Sequence, residues 1–138
     1  MEIKTKKMKS MMVFYFGKPE NTTLSIIVTN PQIQFTCEVG NKPVNAFMTL
    51  WDDSMDVDFY LNSEMEQVTE GINTGIKCLP HAGEYLKKQY MQLYNKFKEQ
   101  TDPNMKKLTL KSLANIKAAI NLMKWFKEHK DEYDFTSL

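Results

Sequence analysis

The sequence has no arginine: all eighteen of its basic side chains are lysine. Arginine supplies the planar fork that grips phosphate, carboxylate or guanine with two hydrogen bonds at once. A chain without it still binds phosphate through lysine, but it is poorly equipped to read bases or to stabilise phosphoryl transfer. Lysine used throughout in place of arginine fits AT-rich coding, which is common in phages and mobile elements. Cysteine is almost as scarce. Cys37 and Cys78 stand far apart, which is no disulfide framework and points to a reducing, cytoplasmic setting in a cell or an infected host cell. Long hydrophobic runs are missing too. The apolar run Met11 to Phe16 follows Lys4, Lys6, Lys7 and Lys9, as at the start of a secretory signal. It is closed by Gly17-Lys18-Pro19-Glu20, too short for a signal core, and no segment approaches a membrane-spanning length. Asn21-Thr22-Thr23 fits the glycosylation pattern, which carries no weight in a chain that is not exported.

Charge is the most telling shortage. Between Ser10 and Trp51 the only charged side chains are Lys18, Glu20, Glu38 and Lys42, whereas a chain that is 25% charged would place about ten there. Three of the four lie at or beside turn-forming residues, leaving Glu38 as the one charge expected within a strand. The block is rich in Thr, Asn, Gln and Ser, so it is no membrane span. It reads as a sheet with one apolar face and one neutral face, and depletion of charge is a mark of protein interfaces. The whole chain has a net charge of +1, and neither half is acidic or basic overall, so no long-range field steers it toward nucleic acid or anionic lipid.

What is present is enough apolar material, 42% hydrophobic and 12% aromatic, for one folded domain over residues 1–138. The first half alternates in steps of two. Leu24, Ile26 and Val28 interleave with Ser25, Ile27 and Thr29. Ile33, Phe35, Cys37 and Val39 interleave with Gln34, Thr36 and Glu38. Met55, Val57, Phe59 and Leu61 interleave with Asp56, Asp58 and Tyr60. Such alternation marks half-buried antiparallel strands. Turn chemistry at 17–21, 30–31, 40–43 and 52–54 separates strands expected near 11–17, 22–29, 32–39, 44–51 and 55–62. Short links make these a five-stranded antiparallel β-meander over about 11–62. Residues 2–9 are suited to an additional N-terminal edge strand, whose lysines discourage edge-to-edge aggregation.

The second half, about 63–130, changes to a helical period. Ser63 with Glu66 forms a capping box. Met65, Val68, Ile72, Ile76 and Leu79 then run at three- and four-residue steps to Pro80, weakened by Gly71 and Gly75. Leu86, Tyr90, Leu93 and Phe97 define a second helix over about 82–100. Thr101-Asp102-Pro103 stops it and restarts a third, over about 104–130, with the stripe Leu113, Ile116, Ile120 and Met123. An acidic tail with two aromatics follows at 131–138. Sheet first and helices after give an α+β fold with three α-helices packed on one sheet face.

The other sheet face then offers Ile27, Phe47, Thr49, Trp51 and Tyr60 as interface candidates. This assignment holds if Ala46, Met48 and Leu50 point inward; the reverse orientation of that strand buries Phe47 and Trp51 instead. Leu122 and Trp125 lie roughly 110 to 200° from the centre of the third helix's stripe. They are contact residues if the helix is open to solvent and core residues if it is sandwiched. Most of the ten methionines, such as Met55, Met65 and Met123, fall on inward positions and read as core filling.

No motif points to catalysis, a cofactor or a metal. Asp52, Asp53, Asp56 and Asp58 crowd together but lack the glycine and the closing glutamate of a calcium loop, and they read as turn and solvent-facing residues. Cys78 and His81 have metal-ligand spacing without a second close pair, and His129 is distant in sequence. The expected function is therefore a non-enzymatic interaction or structural component of phage or mobile-element type. It would assemble with a protein partner or with itself as a homo-oligomer. Single-stranded nucleic-acid binding is the alternative, through sheet aromatics and lysines, which cluster at the N-terminus and on the third helix, where Lys106, Lys117 and Lys124 share a strip. It is less favoured because the neutral sheet face separates its aromatics from the cations.

Overall fold

A computed structural model describes residues 2–16, 24–39, 42–51, 59–61 and 82–138. Six strands form one sheet in chain order, every neighbouring pair antiparallel: β1 (Lys4–Lys7), β2 (Met12–Tyr15), β3 (Ser25–Val28), β4 (Gln32–Val39), β5 (Lys42–Thr49) and β6 (Phe59–Leu61). The expected meander is present, and the N-terminal lysine segment is its edge strand. Two helices follow among the described residues, α1 (Ala82–Glu99) and α2 (Pro103–His129), then a short 3-10 turn (Lys130–Glu132). The helix expected from Ser63 to Pro80 falls on residues outside those described.

The register fixes which side chains share a face. Phe14, Ile26, Phe35 and Ala46 lie side by side across β2 to β5, with Met12, Val28, Ile33 and Met48 as the next row. All but Met48 are buried, and Met48 packs against their cluster. Ala46 and Leu50 are thus inward, as the first of the two orientations of the fourth strand requires. That strand begins earlier than its turn residues suggest. Lys42 and Pro43 already pair with Val39 and Glu38, so Glu38 is not the only charged residue inside β3 to β5.

Helix α2 lies over this face, in contact with β3 and β4, and α1 packs against α2. Asp102 caps α2, its carboxylate accepting from the Asn104 amide at 2.9 Å, with Pro103 in the first turn where a missing N–H costs nothing. Lys127 and His129 sit in the last turn, where their charge or dipole suits the exposed carbonyls. The buried residues of α2 are Thr109, Leu113, Ile116, Ala119, Leu122, Met123 and Phe126. This arc is wider than one stripe because the helix touches the sheet on one side and α1 on another. Ile120, in the expected stripe, is only half-buried, and Leu122, outside it, is completely buried.

The tail closes the core over β2. Phe14 is enclosed by four rings: Tyr133 at 4.9 Å between centroids, Phe126 at 5.4 Å, Trp125 at 5.5 Å and Phe135 at 6.2 Å. Three of the four contacts are edge-on, the arrangement that ring quadrupoles favour. Asp134 accepts from both the hydroxyl and the amide of Thr136, which holds its carboxyl below the usual range. Lys7 of β1 reaches the Ser137 hydroxyl at 3.4 Å. The acidic tail is therefore a strap that seals the apolar face rather than a free end.

Candidate interaction surface

The outer sheet face is not uniformly open. One row across it, Tyr15, Ser25, Thr36 and Asn45, is largely covered: Asn45 is 3% exposed and Ser25 9%. Ser25 and Thr36 share a hydrogen bond between hydroxyls at 3.0 Å. The next row, Val13, Ile27 and Gln34, is half-buried, and beyond it Gln32 and its partner Thr49 are exposed. Exposure thus rises along the face toward the β3–β4 turn. The expectation of one neutral, open face contracts to this end.

Trp51 stands at that end, 71% exposed. Its position follows from the backbone. Asn30 adopts φ of 41°, a conformation Asn tolerates better than most residues, in the turn containing Pro31. The Leu50 amide then donates to the Pro31 carbonyl, and the buried Leu50 side chain anchors the chain beside the turn. The next residue, Trp51, is turned outward. Of the other candidates, Ile27 and Thr49 lie on this face. For Phe47 and Tyr60 the backbone register is described, opposite Gln34 and Asn45 respectively, and their side chains lie outside the description.

Leu122 is corrected from contact residue to core, since no part of it reaches solvent. Trp125 is half-buried against Phe14 and Tyr133, and its ring stacks on His129 at 4.8 Å and 13°. The His129 ring Nδ1 lies 2.8 Å from the Trp125 carbonyl oxygen, so this imidazole is occupied in closing the helix. The open-solvent alternative fails for α2 because the strap and sheet enclose this part of it.

Cys37 lies on the inner face, 1% exposed, and burial pushes its thiol pKa up to about 12, with Glu38 adding repulsion. A thiol held so far from ionisation is a poor nucleophile and metal ligand. Tyr85 of α1 is pushed upward as well, by burial first and by Cys37 second. Among the described residues no three His, Cys, Asp or Glu side chains gather as metal ligands. Asp52, Asp53, Asp56, Asp58, Cys78 and His81 lie outside those residues.

Charge sits on the helices and on the edge strand β1, whose Lys4, Lys6 and Lys7 are exposed. From Pro103 to Lys127 there are six lysines and no acid. Lys106 is half-buried with its ammonium 5.5 Å from the Phe97 ring centre, and Lys107, Lys111, Lys117, Lys124 and Lys127 are exposed. Sequence reasoning found only Lys106, Lys117 and Lys124, by helical spacing. The acid-free run was legible but hidden in the near-neutral totals for each half. Large apolar side chains are also exposed on the helices: Met91 and Tyr94 on α1, Met105, Leu108 and Leu110 on α2. A groove of about 310 Å³ opens where α1 and α2 meet the far end of β4.

The described residues define an α+β protein, a six-stranded antiparallel meander with α2 on one face and α1 packed against α2. Compared with known proteins, the chain matches no family model, no curated protein and no solved structure. Among the described residues no helix is long and apolar enough to cross a membrane.

Proposed function

We propose that this chain is a non-enzymatic interaction protein that assembles through the exposed end of its outer sheet face, as a structural or accessory component of phage or mobile-element type. The observation that carries the reading is Trp51, 71% exposed on a backbone pinned by Leu50 and Pro31. A large aromatic ring held outward on a fixed backbone costs little entropy to dock, which is why Trp is a frequent hot spot at interfaces. Its neighbours on the face, Thr49, Gln32, Gln34 and Ile27, carry no charge to desolvate. A second copy meeting it in a two-fold dimer would bury the same patch twice.

The native mass tests this. Light scattering on the protein, alone and as recovered from its natural source, is expected to exceed the 16.2 kDa of one chain in at least one of the two. A single-chain mass in both refutes the reading.

Single-stranded nucleic-acid binding is the second reading, favoured by the acid-free lysine run of α2. It predicts affinity that falls steeply with salt. The lysines lie on the helical layer and the exposed sheet aromatic on the opposite side, which separates phosphate contact from base stacking. Filter binding that detects no retention at low salt removes it.

A further inference from the structure

Charge is segregated along this chain. From Ala82 to Lys127, the two helices and their link, ten lysines stand against three acids, a net charge of +7 in a chain whose total is +1. The three acids sit at helix ends: Glu84 in the first turn of α1, Glu99 as its last residue and Asp102 capping α2. A broad anionic surface feels charge only within a Debye length, roughly 8 Å at physiological salt. It therefore meets this helical layer and not the near-neutral total.

Helix α2 aims part of that charge in one direction. Lys107, Leu110, Ala114, Lys117, Asn121 and Lys124 recur at alternating three- and four-residue steps, which places them on one side of the helix, and all six are exposed. This side is opposite the buried Ile116, Ala119 and Met123. It runs about 26 Å from Lys107 to Lys124 at helical rise. No acid interrupts it, and Glu128, one turn beyond Lys124, closes it. Leu110 stands between Lys107 and Lys117, and it is 51% exposed.

These features select among anionic partners. Nucleic acid asks for rings on which bases stack, but the strip carries no aromatic and the chain no arginine. An acidic protein holds its carboxylates at fixed places, so each long lysine side chain must be ordered to meet one. An anionic bilayer makes neither demand. Its headgroups diffuse to each ammonium, and an aliphatic side chain enters the boundary between headgroups and acyl chains without a shaped pocket.

We infer that the solvent-facing strip of α2 docks on the surface of an anionic lipid bilayer. The helix lies parallel to the surface, with Lys107, Lys117 and Lys124 at the headgroups and Leu110 pressed between them. The docking is peripheral, since among the described residues no helix is long and apolar enough to cross a membrane. The strip lies on the helical layer, away from the Trp51 end of the sheet, so the inference does not rest on the reading of Trp51.

The test is flotation of the full chain at low salt with vesicles of phosphatidylcholine, alone or mixed with phosphatidylserine. Binding to the mixed vesicles only is expected. The double variant Lys117→Gln, Lys124→Gln is expected to weaken it about thirtyfold, since a lysine near an anionic leaflet contributes a factor of about five. Leu110→Ala is expected to weaken it about fivefold by removing the inserted side chain. All three positions are exposed, so the melting temperatures should match the wild type. Failure to float with the mixed vesicles overturns the inference, as does equal flotation with both kinds of vesicle or by the lysine variant. Unchanged flotation of Leu110→Ala also overturns it, because the strip would then be a general cationic face with nothing in the lipid. A thymidine oligonucleotide bound at a lower phosphate concentration than the mixed vesicles overturns it in favour of nucleic acid.

Discussion

Replacing Trp51 with alanine separates a docking residue from a core residue. A tryptophan side chain offers up to about 250 Å². With 71% of the residue exposed, about 70 Å² is covered by the protein's own fold. At about 25 cal/mol per Å² this is worth at most about 2 kcal/mol, and nearer 1 once the compactness of the unfolded chain is allowed for. For a chain of this length, a loss of about 1 kcal/mol lowers the melting temperature by roughly 4 °C. The exposed remainder, about 180 Å², is worth up to about 4.5 kcal/mol when a partner covers it. An interface loss of about 2 kcal/mol, the hot-spot threshold, weakens assembly about thirtyfold. Trp51→Ala is therefore expected to melt within a few degrees of the wild type while its assembly, followed by light scattering across a dilution series, shifts to much higher concentration. Leu122→Ala is the control from the opposite class. It empties a completely buried site and is expected to cost about 2–5 kcal/mol of stability. If Trp51→Ala loses more than about 3 kcal/mol in urea titration, Trp51 is core and the docking argument collapses. If the dilution profile is unchanged, Trp51 is not in the contact.

Other expectations follow from the core. Phe14→Ala removes a fully buried ring that touches four others, and should cost about 4–5 kcal/mol in chemical denaturation; a cost under 1 kcal/mol would mean the strap does not enclose it. Phe135→Ala should cost about 3 kcal/mol, and the double variant should fall short of the sum by at least about 0.5 kcal/mol, because the two rings lie 6.2 Å apart. Strict additivity would show that the tail does not pack on β2. Cys37 should resist iodoacetamide at pH 8 in the folded chain, as read by mass spectrometry of its peptide. Its folded pKa is raised above the ordinary value of 9.0 to about 12, so its contribution to stability is full below pH 9 and is lost as pH rises toward 12. Cys37→Ala should flatten that alkaline loss relative to wild type, and parallel pH profiles for the two would contradict the assignment.

The sequence by itself determined the sheet. Alternation at Ile26 and Val28, and at Ile33, Phe35 and Cys37, sets the face of each strand, because a one-residue slip would turn every apolar side chain to water. Asp102 and Pro103 likewise set the start of α2 through local capping chemistry. Which way β5 faces was open in the sequence, since Ala46, Met48 and Leu50 are no more apolar than Phe47 and Trp51. Tertiary packing decided it: Ala46 is small enough to lie in the row of Phe14, Ile26 and Phe35 beneath a helix.

The surfaces were less legible. Leu122 and Trp125 are off-stripe on a helical wheel, yet α2 is covered from more than one side, and a wheel describes only one neighbour. Asn45 and Ser25 read as solvent-facing by alternation, yet they are buried, since alternation assigns a face and not what covers it. The groove where α1 and α2 meet the end of β4 had no signal in the sequence. It exists only where two helix ends and a strand end, distant along the chain, converge. The local rules of period, cap and turn were thus enough to build the strands and helices. Burial depends on what the whole chain brings alongside, so only the tertiary structure could divide the core from the exposed surface on which this protein's contacts depend.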